Sequence, residues 1–529
     1  MHKAVRAVVA VAFLAGASGR GAQGQPGAAV LVTATLQADR PGPTLDRNLQ
    51  GQFAEHLGTG VYGGLWVGPD SPIPNTRGFR TDVVAALRRI RVPVVRWPGG
   101  CFADDYDWRD GIGPRDRRPV RLNSLWGGVE EPNTVGTHEY MDLMAQLGAK
   151  SYVSANVGSG SPRAMAQWIE YMTSPSHSAL AEERRRNGHD APFPLDVLGI
   201  GNESWGCGGA MRPEHYADLL RQYAVFVRPG GGQRVVRVAS GADREDYRWT
   251  ETVMTNLSPP GLSGYRLFDA LSLHYYTFPG GSYLKKGPAT GFGEAQWMAV
   301  VSQALRLDGI IAQHSAIMDK YDPEKRVALF VDEWGTWYDP TPGTNPGFLR
   351  QENTLRDAVV AAASLLILQQ HADRVRMANI AQMVNVLQAM VLTDGPRLVL
   401  TPTYHTFDLF QVFQGATFLP LEVRAPAYRL DSLRVPAVVG GAGRGTDGLT
   451  YVGLVNLDPR RTASLRVAVA GMRPATVSGR VLTAAAMDAR NSVQQPDVVR
   501  PAAFTGARLE GQTLVVTLPA KSVVVLSLR

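Results

Sequence analysis

Two glutamates each close an apolar, strand-like run: Glu203 ends Val-Leu-Gly-Ile-Gly-Asn-Glu, and Glu333 ends Leu-Phe-Val-Asp-Glu. A carboxylate at the end of a core strand is costly to bury, so packing alone seldom puts one there. Each is followed closely by Trp and Gly, as Ser204-Trp205-Gly206 and Trp334-Gly335. Taken singly, either motif reads equally well as a strand-end cap or turn. As a pair they suit glycoside hydrolysis, in which one carboxyl protonates the leaving oxygen while the other attacks the anomeric carbon. Direct attack calls for carboxyl groups about 5–5.5 Å apart, whereas a gap of about 6.5 Å or more admits a water and inverts the sugar.

Such a pair needs a scaffold that brings distant strand ends together. From about residue 48 the chain alternates short β-branched runs with longer helix-like stretches, the pattern of a parallel sheet with crossover helices. Eight candidate strands lie at 49–55, 92–97, 151–157, 197–201, 234–239, 270–274, 327–331 and 376–380, which predicts a (β/α)8 TIM barrel with working groups at the strand C-terminal ends. After about residue 403 the segments become short, alternating and punctuated by Gly, Pro and Asp, predicting an additional antiparallel, jelly-roll-like β-sandwich. Residues 26–47 are also strand-like and are expected to join it. The expected division is therefore 1–25 leader and tail, 26–47 sandwich strand, 48–402 barrel and 403–529 sandwich.

Composition excludes several classes. The 529 residues carry 54 Lys and Arg against 47 Asp and Glu, and the formal charge of +7 is scattered instead of forming a nucleic-acid footprint. The ten His are dispersed, with no His-Glu-x-x-His or Cys-x-x-Cys, so no metal is expected. Gly230 to Gly232 has no phosphate-loop Lys and reads as a turn, so no cofactor is expected either. Basic His2, Lys3 and Arg6 ahead of the apolar run 7–14, with small Ala15 and Ala17 behind it, read as a signal peptide cleaved near Ala17 and hence as export to the periplasm or beyond. No segment is long and apolar enough to span a bilayer. A bridge between the two cysteines, Cys101 and Cys207, is disfavoured because both sit in segments that read as pocket linings.

Seven segments in one order resemble the family-51 glycoside hydrolases, the α-L-arabinofuranosidases: GQFAEHLGTGVYGG from Gly51, RWPGGCFADD from Arg96, DWRDGIGP from Asp107, GNESWGCGG from Gly201, SLHYYTFP from Ser272, the stretch 332–356, and MANIAQMVNV from Met377. The resemblance covers nearly the whole chain. It implies that Glu203 is the acid/base on the fourth barrel strand and Glu333 the nucleophile on the seventh. It further implies that Asn202 binds the sugar 2-hydroxyl, that Glu55, the Cys101 loop and Gln382 contact the far hydroxyls, and that Arg96 and Tyr276 aim Glu333 and keep it ionised. Tyr275 competes with Tyr276, and Arg96 reads also as a structural ion-pair partner. His274 is expected to be a hydrogen-bonded wall residue. Trp97, Trp126, Trp205, Trp334 and Trp337 are candidate sugar platforms.

The implied reaction is retaining removal of terminal arabinofuranosyl groups from arabinan, arabinoxylan or arabino-oligosaccharides, with no partner beyond that substrate except a possible homo-oligomer. The alternative keeps the fold and carboxylates but cleaves a β-xyloside or an internal β-glucan bond, with range set by the 104–135 insertion. A non-catalytic carbohydrate-binding barrel is disfavoured because Asn202, Glu203 and Glu333 are all retained.

Overall fold

The computed structural model describes residues 28–258 and 265–529. The expected leader over 1–25 lies outside the described residues. Eight parallel strands close a barrel: Gly51–Phe53, Val94–Trp97, Lys150–Ala155, Val197–Ile200, Val236–Asp243, Ala270–Thr277, Ala328–Thr336 and Val375–Ile380. The ring shuts where Asn379 and Ile380 pair with Gly51 and Gln52. The strands Ala270–Thr277 and Ala328–Thr336 are buried at every position, because one face meets the barrel interior and the other a ring of helices.

Each strand is followed by a helix, and local capping places several of their starts. Ser161 caps Pro162–Thr173 and Asp246 caps Tyr247–Thr255, each accepting a backbone N–H in the first turn. The eighth helix, Pro402–Phe410, is capped by Thr401 and buried throughout. It corrects the expected division at 402/403, which would cut the last barrel helix: alternation in the flanking segments was read as strand, but this segment completes the eighth βα unit.

Beyond it two sheets stack. One orders Leu421–Arg424, Val30–Gln37, Ala463–Ala470, Thr513–Leu518 and Ala507–Glu510; the other orders Thr417–Leu419, Val438–Arg444, Thr450–Asn456, Ser522–Leu528, Val477–Leu482 and Ala502–Ala503. Val30–Gln37 and Ala463–Ala470 alternate buried and open positions, the period of a sheet with one solvated face. The N-terminal strand pairs antiparallel with Leu421–Arg424 but parallel with Ala463–Ala470, so the sandwich is not wholly antiparallel. Helix Leu355–Gln370 is buried on all sides except at its last residue, since it packs on the barrel and on the second sheet together. Among the described residues no helix is long and apolar enough to cross a membrane.

Candidate active site

Glu203 follows the fourth strand, beyond Gly201, in a left-handed conformation with φ +38°. Its carbonyl is held there by the N–H groups of Gly206, at 2.7 Å, and Gly208, at 3.1 Å. Glu333 lies inside the seventh strand, where the pairing register slips between Val331 and Trp334. Strict alternation would send Asp332 and Glu333 to opposite faces. The irregularity turns both inward, a common use of bulges beside active sites.

Arg96, on the second strand, is 2% exposed and joins these groups. One guanidinium nitrogen donates to Glu333 Oε1 at 2.6 Å, another to Asn202 Oδ1 at 2.6 Å, and Nε lies 3.8 Å from Asp332 Oδ2. Tyr276 donates to Glu333 Oε2 at 2.9 Å, while Tyr275 turns outward and donates to the Gln303 carbonyl. Both Glu333 oxygens are thus fixed by side chains from other strands. Glu55 Oε1 accepts from the N–H groups of Gly100 and Phe102 at 3.1 Å and from the Trp126 indole at 3.0 Å; its Oε2 accepts from Gln382 at 3.0 Å. Glycine is needed at 99 and 100 for this closeness: a Cβ would stand 2.6 Å from Glu55 Cγ and 2.8 Å from Glu333 Oε1. Glu55, Arg96, Asn202, Tyr276, Gln382 and the two glutamates therefore meet in one place, although their positions run from 55 to 382 in the chain.

Sequence reasoning gave His274 only a wall role. Its Nδ1 lies 2.8 Å from Glu203 Oε1 and 3.5 Å from Glu333 Oε2, and its Nε2 lies 3.4 Å from Asp332 Oδ1. Burial disfavours its charge, but Glu333 and Asp332 outweigh that and push its pKa up to about 10, so it is a cation at neutral pH. Oxygens of Glu203 and Glu333 and a His274 nitrogen lie within 4.8 Å of one another, a spacing that a metal could bridge. A protonated imidazole has no free lone pair, and the cation already balances the carboxylates.

Burial, then the Glu333 charge, raise the Glu203 pKa above the ordinary carboxyl range, with His274 pulling the other way. Burial and Glu333 likewise push Glu55 up to about 7. Asp332 goes the opposite way: burial opposes its charge, yet Arg96, His274 and the Tyr152 hydroxyl at 2.5 Å hold it below the usual range.

Cys101 corrects the expectation for it. It is bonded to Cys207, with Cα atoms 5.4 Å apart, so it has no thiol to offer a sugar. The bridge is disfavoured in the sequence because both cysteines sit in segments that read as linings; both do lie beside the site, and barrel closure brings them together there across 106 residues. Cys207 Sγ lies 3.5 Å from Glu203 Oε2, a contact to which the bridged sulfur brings no proton. Of the candidate platforms, Trp97 stacks on Tyr140 and Trp334 on Phe407 in the core. Trp126, Trp205 and Trp337 stay partly open; the Trp205 indole donates to the Gly241 carbonyl and Trp337 packs edge-on against Tyr276.

Residues 332–522 match the family described as "Alpha-L-arabinofuranosidase C-terminal domain", and 86–228 match "Alpha-L-arabinofuranosidase 1 domain". An intracellular exo-α-L-arabinofuranosidase of Bacteroides ovatus is 46% identical over 523 residues, 99% of either chain. This chain belongs to the α-L-arabinofuranosidases of glycoside hydrolase family 51.

Within family 51, the arabinofuranosidase structure from Xanthomonas axonopodis pv. citri superposes with a TM-score of 0.92 at 54% identity, covering 94% of this chain and 100% of that one. An exo-α-(1→6)-L-arabinofuranosidase of Bifidobacterium longum is 29% identical over 91% of this chain and 94% of its own length. The expectation of export is overturned here: the Bacteroides family member matches from end to end and is named as intracellular. A few basic residues ahead of a short apolar run are a weak signal, since the same composition serves other N-termini.

Proposed function

We propose that this family-51 enzyme removes single terminal α-L-arabinofuranosyl groups from arabinan, arabinoxylan or arabino-oligosaccharides with retention of configuration. Glu333 is the nucleophile and Glu203 the acid/base. The observation that carries this reading is that oxygens of the two carboxylates lie within 4.8 Å in unlike surroundings. That closeness suits direct attack better than the wider carboxyl separation of an inverting pair.

The surroundings assign the roles. Arg96 and Tyr276 point the Glu333 oxygens, leaving Glu203 to carry the proton, which burial and the Glu333 charge help it retain. Once the glycosyl-enzyme forms, the Glu333 charge is gone and Glu203 becomes more acidic, ready to act as base on water. Asn202 is placed for the 2-hydroxyl: Arg96 takes its oxygen, and its amide nitrogen, whose contact is a long one of 3.9 Å to Cys207 Sγ, keeps a proton for the sugar. Glu55 and Gln382 take the far hydroxyls. Trp126 rides on the hairpin of Arg121–Asn123 and Val129–Glu131, which is anchored by Asn123 to the His56 carbonyl at 2.7 Å and by Glu131 to His56 Nδ1 at 3.1 Å. With its indole on Glu55 it walls the far side, which favours exo action over an open cleft and the β-glucan alternative.

Proton NMR of the first products of an aryl α-L-arabinofuranoside tests this: a retained sugar is expected, and an inverted first product excludes Glu333 as nucleophile. Glu203→Ala should still be glycosylated by substrates with good leaving groups, and azide should restore its turnover. Glu333→Ala should lose about 10⁴-fold or more with every leaving group.

A further inference from the structure

Asp104 ends the short turn Cys101–Asp104 that follows the second barrel strand, and no step above uses it. Its side chain is buried, and its two oxygens accept three backbone N–H groups from two other loops. Oδ1 takes Val157 at 2.7 Å and Gly158 at 2.8 Å, beyond the third strand; Oδ2 takes Asn202 at 2.9 Å, beyond the fourth. Its carbonyl accepts the Ser159 hydroxyl at 2.8 Å. Burial pushes the carboxyl up to about 7 against the pull of these donors, so a costly buried carboxyl is kept for the bonds it makes.

The residue after Asn202 is Glu203, whose φ of +38° is unfavourable for a side chain with a Cβ. Such strain, on the order of 1–3 kcal/mol, persists only where neighbours over-determine the backbone. The turn at 101–104 supplies that restraint at two points: Asp104 holds Asn202 just before Glu203, and Cys101 is bonded to Cys207 just after it. Gly208 seals the arrangement, since a Cβ there would meet the Asn202 carbonyl at 1.8 Å and Asp104 Oδ2 at 2.7 Å.

We propose that Asp104 is a positioning residue for the carboxyl of Glu203, fixing the direction in which its proton is delivered to the leaving oxygen. The inference rests on the assignment of Glu203 as acid/base. A general acid is needed most when the leaving group is poor, so a misdirected Glu203 should damage cleavage of alkyl arabinofuranosides and spare activated aryl ones.

Asp104→Asn keeps the shape but replaces one acceptor oxygen by an NH2 group that faces backbone donors whichever way the amide turns. The expected result is a fall in kcat/KM of about 100-fold for an alkyl arabinofuranoside and only a few-fold for 2,4-dinitrophenyl arabinofuranoside, with KM little changed. An equal fall for both substrates, or no fall for either, overturns the proposal. Should Asp104→Asn fail to fold, Gly208→Ala displaces the same loop from its other side and must show the same leaving-group bias; its absence also overturns the proposal. Glu203→Ala measured alongside separates the two failures, because a missing bias in that variant refutes the acid/base assignment itself.

Discussion

At the scale of residues, the site is a set of carboxylates held in one buried volume by two cations, Arg96 and His274. Glu55 shows what that costs. Its pKa of about 7 in the folded protein exceeds its ordinary value of 4.5, so the folded state binds the proton more tightly and loses stability as pH rises between these values. Each pH unit in that window is worth up to ~1.4 kcal/mol. Glu55→Gln should therefore raise Tm relative to the parent at pH 8 and lose the advantage at pH 4, while activity drops ~100-fold or more. The fold should accept the amide, because Gln382 has an unpartnered buried oxygen that a turned side chain can offer to it. Scanning calorimetry at both pH values checks the sign. His274→Asn removes the cation that restrains the Glu203 pKa, although Glu333, Arg96 and Asp243 still face that carboxyl or its neighbours. With Glu203 as the proposed acid, protonated in the active form, the basic limb of kcat/KM should move to higher pH while the maximum falls. An unmoved limb would mean that His274 only positions.

At the scale of elements, the barrel supplies strand ends and the loops supply aim. The Cys101–Cys207 bridge ties the loops after the second and fourth strands across 106 residues of sequence. In chain-entropy terms a closure of that length is worth on the order of 4 kcal/mol. The double variant Cys101→Ser, Cys207→Ser should lose a large part of this in urea unfolding. A midpoint equal to that of the parent would show that the bridge adds no net stability. The hairpin that carries Trp126 was visible beforehand only as an insertion at 104–135. Its contact with Glu55 depends on where His56, one residue further on, anchors it, and no local pattern reports that.

At the scale of the whole molecule, the two domains share their packing. Val30–Gln37 lies inside the first sandwich sheet, bonded on both sides, so the chain's N-terminal strand is interior to a domain otherwise built from the other end. Leu366, on the helix buried between barrel and sandwich, packs against the positions of Gly441 and Gly453. Leu366→Ala should cost about 2–5 kcal/mol, and barrel and sandwich should still melt in one transition. Two separated calorimetric transitions in the parent would contradict this coupling.

The sequence by itself determined the eight barrel strands and the sandwich that borrows a strand from the N-terminus, and it named seven positions other than Cys101 that the fold brings together. All of these follow from local signals, the apolar periodicity and the polar residues that break it, or from motifs quoted whole. Only the tertiary structure decided the rest. Asp332 alternates away from Glu333 on paper and comes inward through a register slip against neighbouring strands. The disulfide, the Asp104 clamp and the charge on His274 each depend on groups 50 to 106 positions apart that meet when the barrel closes. The last barrel helix, too, reads in sequence as the edge of the sandwich, and only its packing against Leu355–Gln370 assigns it to the barrel. Distance along the chain carries no information about such meetings, because closure of the strand ring sets them and every strand takes part in it.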